Sequence, residues 1–258
     1  MPRLLLLRAW LDTGSLPGGR GYYSPLEEGC PVLIPIPEHG VAAGEPPEWI
    51  DPKRWRSGCS GRPLADYMPL DHEWLLHNDP RLDLGFYTDY YSPWGRIPRS
   101  PEKELRPGDI VAFAAGLAEY PRGFWARRRR LAEILRVFAE ARSRGRTGVY
   151  LVGYIRVQRV VDVDKLGWEN VLHRYPVLGF SPHLLRPGDR PVAVLGEPHV
   201  PEEPLPLARS VAGRLCGTAT ETLIRLLGAR AARGFLRQKC RRARVVNVST
   251  ARLMELLG

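Results

Sequence analysis

Five polar side chains stand beside apolar segments or chain breaks, where groups from distant parts of a chain can converge: Asp12, Glu38, His77, Asp79 and His173. A carboxylate next to a histidine is what general acid–base catalysis or a hard-metal site needs. Each also has a structural explanation, because aspartates commonly cap turns and a single histidine is more often a surface or satisfied core residue. We take the five as candidate catalytic residues and assign no metal site.

Several functional classes lack their signatures in this chain. The nucleotide P-loop, HExxH, GxSxG and EF-hand motifs do not occur, so the sequence names neither a reaction nor a cofactor. The four cysteines, Cys30, Cys59, Cys216 and Cys240, lack zinc-site spacing, and we expect reduced thiols unless the source is a hyperthermophile. No apolar run approaches a signal core or a membrane span, which predicts a cytoplasmic protein without a membrane partner.

Arginine supplies nearly all of the positive charge, with 34 of the 38 cationic residues. Its forked guanidinium group suits phosphates and stacks on bases. Residues 207–258 carry a balance of +9 and residues 120–146 one of +7, so the rest of the chain carries −6 out of a total of +10. This asymmetry is expected when one face meets a polyanion, although a thermophile's composition or a solvated face explains it too.

The charge distribution therefore predicts a nucleic-acid partner and leaves protein partners unknown. The candidate phosphate contacts are Arg127, Arg128, Arg129, Arg130, Arg237, Lys239, Arg241 and Arg242. A second source of affinity is an aromatic cluster whose rings could stack on bases or pack a loop-rich core. Its members are Tyr87, Tyr90, Tyr91 and Trp94.

The elements that must position these groups form an α+β pattern. Apolar, β-branched runs predict strands over residues 3–10, 110–114, 149–163 and 243–248, with an edge strand or extended segment over 30–38. Helices are predicted over 66–76, 127–144, 207–240 and 250–257. Residues 39–63 are expected to be an irregular loop and 196–206 a linker. Gly153 inside the longest strand predicts a bulge or a close backbone approach.

Several short motifs resemble, in their order, the nucleotide modification associated domain family of the third type. They are LDTG, GYYSPL, IPIPE, HNDPRL, RPGDIVAFAAGL, YLVGYIRVQRV and NVLHRYP, and they cover most of residues 4–205. The resemblance implies a role linked to modified DNA bases, with no settled reaction, so DNA is favoured as the nucleic-acid partner and RNA is possible. The residues that it singles out are Asp12, Ser24, Pro25, Pro35, Glu38, His77, Asp79, Gly108, Asp109 and His173.

We therefore expect a loop-rich mixed β core over residues 1–205 and a basic, mostly helical segment over 206–258. The leading functional hypothesis is a nucleic-acid-associated protein in base modification. If it is an enzyme, Glu38 or Asp79 is the general base, assisted by His77. A non-catalytic reader remains an alternative, because GDIVAF and the later long strand also resemble the small PUA-like barrels that bind RNA or modified bases. An assembly partner for an acidic protein is a third possibility.

Overall fold

Four consecutive leucines near the start of the chain form a central strand that is covered on both faces. Leu4 and Leu6 belong to one buried cluster, whereas Leu5 and Leu7 belong to another, and all four are fully buried. Successive side chains of a strand point to opposite faces, so a strand packed on both sides needs an unbroken apolar run. The sequence RLLLLR meets that requirement.

The computed structural model describes residues 2–38, 47–91, 96–97, 104–186, 188–211, 214–237 and 244–247. Its strands are Arg3–Arg8 (β1), Ser24–Glu27 (β2), Cys30–Pro31 (β3), Ile36–Pro37 (β4), Leu76–His77 (β5), Phe86–Asp89 (β6), Ile110–Ala118 (β7), Thr147–Asp162 (β8), Val192–His199 (β9), Leu205–Val211 (β10), Arg214–Ala219 (β11) and Arg244–Asn247 (β12). Its α-helices are Leu131–Ser143 (α1), Val163–Leu166 (α2), Trp168–Arg174 (α3), Glu221–Leu227 (α4) and Ala229–Arg237 (α5).

Among these described elements, ten strands form one mixed sheet whose main path runs β11-β10-β8-β7-β1-β12. Strands β1 and β2 lie parallel to β7, while β8, β9, β10 and β12 pair antiparallel with their neighbours. Helices α4 and α5 pack on one face through Leu223, Leu226 and Phe235. The chain is thus an α+β protein, as predicted, and the described strands do not close into a PUA-like barrel.

The strongest strand predictions are confirmed. Strands β1, β7 and β8 occupy the expected positions, and the register between β7 and β8 shifts where Phe113 faces Gly153 and Ala114 faces Leu151. A Cβ atom on Gly153 would lie only 2.5 Å from a methyl group of Leu82. The glycine therefore permits both the bulge and the close approach.

The helix predictions need three corrections. Residues 66–76 contain only the end of a 3-10 turn, Leu64–Tyr67, before β5. Residues 205–211 and 214–219 form β10 and β11 rather than a helix or linker, because pairing of β10 with β8 and of β11 with β10 satisfies their backbone groups in the sheet. Helix α1 begins at Leu131, after the arginine run. No described helix is long and apolar enough to cross a membrane. The predicted helix over 250–257 lies outside the described residues.

The cysteine prediction is also corrected. Cys30 and Cys59 form a disulfide with their Cα atoms 5.6 Å apart, and Cys216 is disulfide-bonded as well. The Cys30–Cys59 link ties β3 to the turns that follow the 3-10 turn Glu48–Ile50. It closes a loop of the chain that contains Glu38.

Candidate functional site

A two-residue ribbon brings Glu38 and His77 together. Strands β4 and β5 pair antiparallel, with Ile36 facing His77 and Pro37 facing Leu76. Glu38 follows β4 directly, so its side chain meets the imidazole across the ribbon, with Oε2 2.6 Å from Nδ1. Both side chains are buried, and that of Glu38 has no exposed surface.

Arg186 completes the environment of Glu38. Its Nε atom donates to Oε1 of Glu38 at 2.7 Å, and a terminal nitrogen lies 2.6 Å from the same oxygen. Burial alone would raise the pKa of Glu38, but the hydrogen bonds from His77 and Arg186 and the charge of Arg186 outweigh it and lower the pKa. Glu38 is therefore held as a carboxylate that orients His77, and it has no surface through which to meet a substrate.

Asp79 lies two residues after His77 and is anchored by β6. The backbone N–H of Thr88 donates to both carboxylate oxygens, at 3.1 and 2.9 Å, and the Thr88 hydroxyl donates to Oδ2. That hydroxyl also lies 3.0 Å from the Ser181 hydroxyl. Burial raises the pKa of Asp79 well above its usual value, against the lowering effect of the Thr88 hydrogen bonds.

A second histidine, His183, reaches the same place from the chain segment before β9. It lies in the 3-10 turn Pro182–Leu185, and β9 pairs with β6, the strand that anchors Asp79. Its Nδ1 atom is 3.0 Å from Oδ2 of Asp189 and 3.3 Å from the Tyr90 hydroxyl. Burial and the neighbouring His77 lower the pKa of His183 to about 4, although Asp189 opposes this.

Asp12 reaches Asp79 across a cleft of about 270 Å³. Its carboxylate accepts hydrogen bonds from the Arg8 guanidinium group, at 3.1 Å, and from the Thr13 backbone N–H, at 2.5 Å. The cleft lining also includes Trp10, whose φ of 63° lies in the left-handed region that residues other than glycine seldom adopt. Such backbone strain concentrates at functional sites.

Arg96 also lines the cleft. Its Nε atom donates to Oδ2 of Asp89 at 2.7 Å, and one terminal nitrogen donates to the Arg8 carbonyl at 2.5 Å. Burial alone would raise the pKa of Asp89, but the charge of Arg96 and a hydrogen bond from the Tyr87 hydroxyl lower it. The cleft thus presents two guanidinium groups and two carboxylates.

Of the five predicted catalytic residues, Asp12 and Asp79 line the cleft, and Glu38 and His77 adjoin Asp79. His173 does not join them within the described structure, because it lies exposed in the last turn of α3. His183 takes the second-histidine position, and sequence reasoning missed it. The signal that could have found it is the LRPGD segment immediately after it, which supplies Arg186 and Asp189.

Two residues singled out by the resemblance serve the fold instead. Asp109 forms a buried ion pair with Arg3 at 2.6 Å, and the Ser24 hydroxyl accepts the Ile34 backbone N–H. Of the predicted stacking rings, Tyr87 is buried against Phe113 and Tyr90 packs edge-on against His183. Trp94 lies outside the described residues.

The arginine run before α1 is partly committed to structural contacts. Arg128 pairs with Glu73 at 2.9 Å, and Arg129 pairs with Glu133 at 2.9 Å, whereas Arg127 and Arg130 are exposed. A helix beginning at residue 127, as predicted, would place the four arginines in its first turn, where they oppose the helix dipole. Because the run precedes the observed helix, it does not oppose the dipole from within the first turn. The Asp71 carboxylate accepts the first backbone N–H of α1, at 2.8 Å, and provides the cap.

The clearest basic surface lies on α5. Arg230, Arg233 and Arg237 are exposed at helix spacings of three and four, so they share one face, opposite the buried Ala232 and Phe235. None of the described ion pairs involves these three guanidinium groups. We call them the α5 arginine stripe. Of the predicted C-terminal contacts only Arg237 is described, and Lys239, Arg241 and Arg242 lie outside the described residues.

Comparisons with known proteins give this site no precedent: no protein-family model, no curated protein and no solved structure matches the chain.

Proposed function

We propose that the protein acts in nucleic-acid base modification as an enzyme whose cleft accepts one nucleotide. The observation that carries this proposal is the convergence of Arg8, Arg96, Asp12 and Asp79 around a single cleft. Arg8 and Asp12 are neighbours in the sequence, whereas Asp79 and Arg96 come from later parts of the chain. The volume of about 270 Å³ is near the lower end for ligand pockets and suits a single nucleotide rather than a duplex.

Cleft chemistry supports a nucleotide ligand. Guanidinium groups recognise phosphates through paired hydrogen bonds, and Arg8 and Arg96 lie at the cleft wall with part of their donor capacity used by Asp12, Asp89 and the Arg8 carbonyl. Asp12 and Asp79 supply acceptors for exocyclic amino or ribose groups. Enzymes that act on a base in DNA extrude it into such a pocket.

The roles of the carboxylates follow from their surroundings. Asp79 lines the cleft, so it is the carboxylate that can contact a substrate, together with Asp12. Glu38, the other predicted base, is fully buried and engaged by both His77 and Arg186. We assign Glu38 a positioning role and place the substrate-contacting roles on Asp12 and Asp79.

The α5 arginine stripe supports binding to the nucleic-acid backbone. Arg230 and Arg237 are seven residues apart, which corresponds to about 10 Å along a helix. This distance spans several phosphates of one strand. Because phosphate contacts release counterions, three such contacts contribute about 2.7 to the slope of log K against log salt for a DNA duplex.

Fluorescence anisotropy across a salt series tests the backbone contacts. The probes are DNA and RNA oligonucleotides with and without modified bases. We expect steeply salt-dependent binding, favouring DNA, and a slope smaller by up to about 2.7 when Arg230, Arg233 and Arg237 are changed to glutamine. A chain truncated before residue 207 is not a suitable variant for this test, because the truncation removes strands of the sheet.

A matched control changes three exposed arginines outside both basic segments to glutamine: Arg56, Arg156 and Arg174. The control variant loses the same net charge as the stripe variant. If the stripe contacts phosphates directly, the control should still bind with the wild-type salt slope. No binding of any oligonucleotide by the wild type would overturn the nucleic-acid assignment.

The chemical role is tested by mass spectrometry of nucleosides from the DNA and RNA of cells that produce the protein. We expect a nucleoside that is absent from cells without it and absent again with Asp12→Asn or Asp79→Asn, but present with the exposed-site control Asp164→Asn. An unchanged nucleoside profile would refute the enzymatic part. Binding that still prefers a modified base would then favour the non-catalytic reader.

A further inference from the structure

We propose that His77, Asp79 and His183 bind one divalent transition-metal ion. The three side chains are all buried, and one ligand atom from each lies within 4.8 Å of the other two. The inference adds a cofactor to the site of the proposed function, and metal binding is measured without nucleic acid, so either claim can fail alone.

The geometry needs little adjustment to hold an ion. Ligand atoms of a tetrahedral site with bonds of about 2.0–2.2 Å lie roughly 3.4 Å apart. Since the present separations are at most 4.8 Å, no pair has to close by more than about 1.4 Å. The two imidazole rings already contact each other, with 5.3 Å between their centroids.

Both histidines are oriented as metal ligands usually are. The Nδ1 atom of His77 faces Glu38 at 2.6 Å, and that of His183 faces Asp189 at 3.0 Å. A carboxylate on Nδ1 selects the tautomer with the proton on that nitrogen and leaves the Nε2 lone pair for a metal. Within the described structure, the contacts of both rings are made through Nδ1; a terminal nitrogen of Arg186 also lies 3.3 Å from Nδ1 of His77, but Glu38, at 2.6 Å, is the closer partner and accepts from its N–H.

One arginine holds the two outer carboxylates. Arg186 lies 2.6 Å from Oε1 of Glu38 and 3.7 Å from Oδ2 of Asp189. The outer shell therefore forms a continuous chain from one histidine to the other, as is typical of sites in which outer partners fix the ligands. A polar network that served only to satisfy a buried histidine would not need a second histidine with the same arrangement.

Asp79 supplies the oxygen ligand. Its described hydrogen-bond donors are the N–H and hydroxyl groups of Thr88, and neither is charged. A carboxylate with four lone-pair sites retains capacity for a cation after accepting these bonds. Asp79 also lines the cleft, so an ion at the cluster would lie beside the proposed nucleotide.

The donor set selects the class of metal. Two imidazoles and one carboxylate with remaining open positions suit Zn²⁺ in catalytic sites and Fe²⁺ in non-haem sites. Mg²⁺ prefers oxygen ligands and is not expected to bind here. The proposal therefore departs from the sequence analysis, which assigned no metal.

Isothermal titration of the tag-free, chelator-treated full chain tests the site, with Zn²⁺, Mn²⁺ and, under anaerobic conditions, Fe²⁺ as separate probes. We expect one tightly bound ion of at least one kind. Glu38→Gln should weaken binding by roughly 10- to 100-fold, the usual effect of losing an outer partner, and His183→Gln or Asp79→Asn by more. His199→Gln, at a partly exposed histidine outside the cluster, should leave affinity unchanged.

X-ray absorption spectroscopy of the metal-loaded wild type keeps the test decisive if a variant fails to fold. We expect two imidazole rings with metal–nitrogen distances of about 2.0–2.1 Å. Failure of the wild type to bind any of the three ions stoichiometrically would overturn the proposal. A spectrum without two imidazoles, or wild-type affinity in a folded His183→Gln variant, would overturn it too.

Discussion

Removing the Cys30–Cys59 disulfide should lower the free energy of unfolding by about 3.6 kcal/mol. The two cysteines are 29 residues apart. In the chain-entropy account, closing a loop of about 30 residues in the unfolded state removes roughly 12 cal/mol/K, which gives this value at 25 °C. Cys59 also packs against the cluster that contains Leu64 and Tyr67. Loss of its sulfur should therefore add a smaller penalty.

Urea unfolding of the Cys30→Ala/Cys59→Ala variant and of the wild type measures the difference. Because the crosslink acts on the unfolded chain, the variant should also show a larger m value. The control is the same comparison in reductant, where the wild-type advantage should nearly vanish. A loss below about 1 kcal/mol under oxidising conditions, or a full loss that persists in reductant, would refute the entropic reasoning.

Three other substitutions probe the positioning of the site. Asp71→Ala removes the cap of α1 and should lower the free energy of unfolding by about 1 kcal/mol in urea titrations. Gly116→Ala would place a Cβ atom 2.5 Å from the Arg8 guanidinium group and should lower the free energy of unfolding by about 1–3 kcal/mol. In the control, Gly179→Ala, the nearest atom to the new Cβ is a Leu172 methyl group at 3.9 Å. Equal melting temperatures of the two variants would contradict this prediction. The pKa of Asp89 is lower in the folded than in the unfolded state. Its contribution to the free energy of unfolding is therefore fully present above the unfolded-state pKa of about 3.9 and is lost as the pH falls through the folded-state pKa. The stability difference between wild type and Asp89→Asn should therefore shrink below about pH 4, and a constant difference would contradict the assignment.

Local patterns predicted the strands that carry long apolar or β-branched runs. The leucines of β1 and the β-branched residues of β8 carry their signal within a few neighbours, and both strands occur where expected. Residues 207–219 misled the prediction because arginine, alanine and leucine are ordinary helix residues. Their conformation is decided by pairing with β8, which lies some 55 residues earlier and outside any local window.

The sequence predicted those site residues that stand at the end of a short strand or before a proline. Glu38 and His77 follow or end short strands, and Asp79 precedes Pro80, so their positions are visible in the sequence. His183 was not among the candidates, although the LRPGD segment after it offered a local signal. Its place beside His77 depends on the long-range pairing of β6 with β9, which no local pattern predicts.

The pairing of β12 with β1 has a consequence for biosynthesis. β1 leads into residues that line the cleft. One of its two hydrogen-bonding edges is occupied by residues 244–247, which come much later in the sequence. A ribosome-bound chain that has emerged only through α5 therefore exposes a leucine-rich edge, the kind of edge that recruits other chains. The cleft strand is thus among the last parts of the sheet to be shielded during translation.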